Sequence, residues 1–216
     1  MSRVTAIRNL GIGGLTAMLV GGCATVGEPE VAKWNIPRTG SSWTVAEHNT
    51  GSYGKDVQYE MKRGETMWQG QPAVTFTNSV TGTTLMAQPD TGLWMALVGS
   101  DNKPMMTFDP PLGLQYPLKV SKEWATTHRM TTATTGRAVT VEFLYACKVV
   151  SYEPVTVRAG TFDSFKVNCK APAEEDTWWS SPEHGIILKT NLRRFDHHSQ
   201  GSGTQEAELV ALNLLR

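Results

Sequence analysis

From Ala138 to Val150 the chain places an apolar residue at every second position: Val139, Val141, Phe143, Tyr145, Cys147 and Val149 share one parity. Thr140, Glu142 and Lys148 stand among smaller apolar residues on the other. A period of two describes a β-strand with one drier and one wetter face, and a helix cannot satisfy it. The return segment repeats the pattern, with Phe165, Val167 and Cys169 on one parity and Ser164, Lys166, Asn168 and Lys170 on the other. Between the two, "RAG" at 158–160 reads as a three-residue hairpin loop with Gly160 left-handed, which pairs Val157 with Thr161. That register sets Cys147 opposite Ala171 and Cys169 opposite Val149. The cysteines are then diagonal neighbours about 7–8 Å apart, slightly beyond disulfide reach. Pro154 offers a place for a bulge that would shift the register.

Short alternating runs continue along the rest of the chain. "DVQYEM", "AVTFTN", "GTTLMA", "GLWMALV" and "MMTF" precede the long alternation, and "TWWS", "GIILKTNL" and "AELVALNL" follow it. Turn residues punctuate them at regular intervals, among them "DTG" at 90–92, "SDN" at 100–102 and "DPPLG" at 109–113. This spacing predicts an all-β domain: an antiparallel meander forming a curved sheet, a sandwich or a half-barrel, with little helix. The C-terminal "TQEAELVALNLLR" contains good helix formers. It reads as a last strand because "GSG" at 201–203 resembles a hairpin connector.

The first residues do not belong to that domain. Arg3 and Arg8 precede an uncharged apolar run from Leu10 to Val20, then Gly21 and Gly22 lead into Cys23. A basic start, a short apolar run and small residues describe an export signal. The run falls short of the roughly 20 apolar residues of a membrane span. "LVGGC" at 19–23 resembles the lipobox of bacterial lipoproteins. The resemblance implies that Cys23 becomes the first mature residue and carries fatty-acyl chains such as palmitate. Ala24 stands where that family places Asp for inner-membrane retention, so the resemblance implies anchoring at the outer membrane, facing the periplasm. The division is then 1–22 signal, 23–41 lipidated cysteine and tether, and 42–216 a single β domain. An exported setting favours a bond between Cys147 and Cys169, the two cysteines left after Cys23.

Three stretches, "YPLKVSKEW" at 116–124, "VTVRAGTFDSFKVNC" at 155–169 and "WWSSPEHGIILK" at 178–189, occur in that order. They resemble a group of exported bacterial β-domain proteins with no assigned activity. Their pattern has Gly where this chain has Ser121, Pro for Arg158 and Tyr for Trp179. The resemblance implies the fold class and export, and transfers no catalytic residue.

Charge excludes one class of partner. The chain carries 20 basic and 20 acidic residues, and the signal removes only Arg3 and Arg8, so the mature part is slightly acidic. A nucleic-acid partner would need a basic patch. No G-x-S-x-G, C-x-x-C or phosphate-cradling G-x-x-x-x-G-K occurs. Asp196, His197 and His198 are weak candidates for metal, because adjacent strand residues point to opposite faces. Trp178 and Trp179 are adjacent as well, so one is expected inside and the other outside as a candidate contact surface. The reading is a non-catalytic binding or structural lipoprotein without cofactor, touching the membrane through Cys23 and an envelope protein or lipid ligand. The alternative is a carrier of a hydrophobic, lipid-like molecule in a curved-sheet cavity, where six methionines, Met61, Met86, Met95, Met105, Met106 and Met130, would suit a plastic lining. An envelope hydrolase is a more distant third.

Overall fold

The computed structural model describes residues 33–134 and 137–215. Cys23, the signal and the start of the tether lie outside the described residues. Twelve strands follow in chain order: β1 Ser42–Asn49, β2 Val57–Trp68, β3 Gln71–Asn78, β4 Thr84–Ala87, β5 Trp94–Val98 and β6 Pro104–Leu112, then β7 Glu123–Thr134, β8 Arg137–Val157, β9 Gly160–Ala171, β10 Glu174–Ser180, β11 Ile187–Arg194 and β12 Gly203–Asn213. The helix among the described residues is one 3-10 turn, Gly51–Tyr53. The C-terminal segment is a strand despite its helix formers.

Each strand pairs antiparallel with its sequence neighbours, and β1 pairs with both β2 and β12. The meander therefore closes into a barrel rather than stopping at a half-barrel or splitting into a sandwich. Bulges at Thr44/Val45, Met86/Ala87, Val149/Ser151 and Trp179/Ser180 supply the local bends that closure requires.

The register carries one face right round the ring. Trp43 opposes Met61, Phe76 opposes Leu85, Ala87 opposes Trp94 and Trp94 opposes Leu112. Phe108 opposes Met130, Trp124 opposes Cys147, Val167 opposes Trp178, and Leu212 returns to Trp43. This is the inner face. The Trp94 and Trp178 rings, from strands five apart in the ring, lie 5.0 Å apart, so side chains meet across the lumen and fill it at that level.

The end from which β1 starts is closed. Residues 33–41, the last part of the expected tether, are packed on the barrel there. The Trp34 indole N–H donates to the Gly185 carbonyl at 2.8 Å, its ring meets Phe76 edge-on, and Ser41 is buried. The 113–122 connection covers the same end with Leu118 buried. Within it Ser121 has φ +69, in the left-handed region that favours glycine. The β8–β9 hairpin also reaches this end. Its tip crosses to β12, where the Ala159 N–H donates to the Leu209 carbonyl and Arg158 pairs with Glu208 at 2.8 Å.

Cys147 and Cys169 are directly opposed and bonded, with Cα atoms 4.0 Å apart. Two details differ from the sequence register. Val157 pairs with Gly160, not Thr161, and the bulge falls at Val150, while Pro154 pairs regularly with Asp163. Each shift moves the partner by one residue, and together they turn diagonal neighbours into a direct pair.

Candidate functional site at the open end of the barrel

The opposite end differs in two ways, and the first concerns β8. Its pairing with β9 stops at Ala146 opposite Lys170, although β8 continues for nine residues beyond, down to Arg137. On its other side β8 stays paired with β7 along this whole stretch. A Cα separation of 4.0 Å identifies Cys147–Cys169 as a pair whose backbone groups do not bond each other. On the Cys147 side of the bulge, the even-numbered residues of β8 therefore direct N–H and C=O toward the β9 side. The β7–β8 register has no bulge, so the same holds for Ala138, Thr140, Glu142 and Leu144. Among the described residues nothing pairs with these groups. Val139, Val141 and Leu144, at 48%, 44% and 51% exposure, stand on this free edge.

The second feature is a polar inner wall made by β10, β11, β12, β1 and β2. Tyr145 donates to Asp176 Oδ2 at 2.7 Å, and Asp176 is only 6% exposed. Burial first, then the Glu174 charge, pushes the Asp176 carboxyl up to about 7. The Trp178 indole N–H favours the charged form, yet makes no hydrogen bond of ordinary geometry. Asp176 Oδ1, Trp178 Nε1, Arg194 Nε and the Tyr53 hydroxyl are buried atoms without a hydrogen-bond partner among the described residues. Arg194 stacks on the Tyr53 ring at 3.9 Å and stands 3.7 Å from Glu174. Burial pushes Tyr53 up to about 12. Beside them Glu47 accepts from Tyr59 at 2.6 Å and from Gln205 at 3.0 Å, and burial with this bond raises the Tyr59 phenol. Opposite this wall, Met106, Phe108, Met130 and Phe143 on the inner face of β6–β8 are half-buried and apolar.

The residues singled out by sequence fall as follows. Trp178 and Trp179 do point to opposite faces, against Val167 and Lys166 respectively. Both are buried, at 7% and 8%. The outward ring expected from alternation is covered because Lys166 and Lys189 lie over Trp179 and the β8–β9 hairpin packs Val155, Val157 and Phe162 into the same cluster. His197 and His198 diverge. His197 donates to the Pro172 carbonyl at 2.9 Å, while His198 stands 4.0 Å from Glu174 and burial lowers its pKa. Among the described residues no three His, Cys, Asp or Glu side chains gather in a metal-binding group. Met86 packs in a small cluster with Ala96, Val98 and Met95. Sequence reading missed Asp176 and the free edge. An Asp followed by Thr and two tryptophans was the one available sign of the first, and nothing marks where pairing stops.

Among the described residues, two surface depressions are lined largely by polar residues. One of about 520 Å³ lies between β1, β2, β11 and β12 and includes His48, Asp56, Lys189, Glu206 and Glu208. The other, about 340 Å³, lies at the β11–β12 turn and includes Arg193, Arg194, Asp196 and His197. Among the described residues no helix is long and apolar enough to cross a membrane.

No protein-family model matches this chain, and no curated protein matches it. Among solved structures it is similar to the hypothetical lipoprotein YmcC of Escherichia coli, with 10% identity over 79% of this chain and 83% of that one, at a TM-score of 0.42. A presumed exported protein with a YmcC-like fold from Bacteroides fragilis shares 12% identity over 84% of this chain and 99% of that one, at 0.45. A presumed lipoprotein of Parabacteroides distasonis shares 10% identity over 84% and 99%, at 0.43. Likenesses at these TM-scores assign no role.

Proposed function

We propose that this chain is an outer-membrane lipoprotein, anchored through Cys23 and facing the periplasm, with a non-catalytic binding role. Its contact site is the open end of the barrel. The observation that carries the site is the free lower edge of β8, where exposed Val139, Val141 and Leu144 accompany unpaired backbone groups. Edge strands with apolar side chains bind other strands unless something covers them. The leader and Cys23 support the anchor, since two or more acyl chains hold a protein at a membrane without a spanning helix.

Replacing Cys23 by Ser and fractionating cells tests the anchor. The wild-type chain is expected in the outer membrane and the variant in the soluble envelope fraction. Equal distribution of the two would refute it. The half-buried apolar wall of Met106, Phe108, Met130 and Phe143 favours a second reading, a carrier for an apolar chain. Native mass spectrometry after mild extraction tests it: bound lipid would establish the carrier, and an empty protein would leave the edge as the site.

A further inference from the structure

We propose that the occupant of the β8 edge is a second copy of this chain, paired antiparallel about a two-fold axis through Val141. This deepens the binding reading and rests on it. The edge is self-complementary in one register. With Val141 facing its own copy, Val139 opposes Phe143 on the lumen face. On the other face Ala138 opposes Leu144, and Thr140 opposes Glu142.

The backbone polarity agrees with that register. Residues 138, 140, 142 and 144 are the ones whose N–H and C=O face outward, and in this pairing each meets another of the same set, so the whole free edge is satisfied. Charge agrees as well. Glu142 is already beside Arg129 at 3.8 Å, and it meets a threonine rather than a second carboxylate. Threonine already serves in cross-strand pairs here, as Thr131 bonds Thr140 at 2.8 Å.

The reach of β9 sets the limits of this pairing. The partner's Ala146, where pairing with β9 resumes, comes one position past this chain's Arg137, so the two-fold pairing spans 138–144 and ends where β9 begins. An isologous contact of this kind closes at two copies and does not run on into a fibre. It also covers Val139, Val141 and Leu144, the large exposed apolar residues of β8.

The test uses the full lipidated chain in its own envelope. Val141→Cys places two thiols on the axis, and a disulfide-linked dimer is expected on a non-reducing gel. Thr140→Cys lies opposite Glu142 and on the other face, so no such dimer is expected. Detergent-extracted wild type should sediment as a dimer and Val141→Lys as a monomer, each unfolding in one cooperative transition. A wild-type monomer with no cross-link from Val141→Cys would overturn the proposal. Equal cross-linking from both cysteine variants would overturn the register, and with it the two-fold pairing. A cross-link from Val141→Cys to a different protein would also overturn it, while leaving the binding role of the edge in place.

Discussion

Asp176 makes stability depend on pH in a direction opposite to ordinary surface carboxylates. Its carboxyl is raised from 3.8 to about 7 by burial and by Glu174. Below pH 4 the group is protonated folded and unfolded, and it costs nothing. Between pH 4 and 7 the unfolded chain loses the proton while the folded one keeps it, so stability falls as pH rises. Above pH 7 the full penalty is present, about 4 kcal/mol from three pKa units at 1.36 kcal/mol each. Asp176→Asn keeps the shape and an acceptor for Tyr145 and removes the titration. The advantage of the variant over wild type should therefore grow by about 3 kcal/mol between pH 5 and pH 8. Urea unfolding of both proteins at both pH values reads this difference directly. Taking the difference cancels the contributions of Asp56, Glu65 and Asp101, whose hydrogen bonds hold them below their ordinary values and whose stabilisation fades as pH falls. Parallel pH profiles for wild type and Asp176→Asn would refute the buried, proton-holding carboxyl.

Three further outcomes follow from the fold. Replacing Cys147 and Cys169 together by Ser should cost about 3 kcal/mol, the chain-entropy value for a loop of 22 residues, and make the urea midpoint insensitive to reductant. Ser121→Gly should stabilise by about 1 kcal/mol in the same assay, because it relieves a left-handed residue. Gly185→Ala should release the Trp34 segment, since Gly185 has φ +65 and a Cβ there would collide with the Asn35 carbonyl; protease access to residues 33–41 measures it.

The strands were legible wherever one face is apolar and the other wet, as in β9 and β12. Part of β7 was not, because its inner face carries Thr126 and His128. A buried His128 donating to the Pro110 carbonyl at 2.7 Å looks like a polar loop in a one-dimensional reading. Closure was not legible either, since it depends on β1 finding β12, and neither segment contains a sign of the other. The disulfide was approached through compartment more than geometry: one bulge at Val150 and a tighter turn at Arg158–Ala159 decide the register, and neither has a distinctive residue. Tryptophan burial misled for a related reason. Alternation fixes opposite faces for Trp178 and Trp179, but only the tertiary path of the β8–β9 hairpin determines that both are covered. The candidate site has the weakest sequence signal of all, because Val139 and Val141 continue the same apolar parity as Cys147 and only the end of β9 exposes them.

The most direct measurement is photo-cross-linking in the intact envelope from a reactive side chain at Val141, with Met67, exposed at the other end of the barrel, as the control position. A discrete protein adduct from Val141 and none from Met67 is the predicted result. Absence of any adduct from Val141, or equal adducts from both positions, would contradict the open end as the contact site.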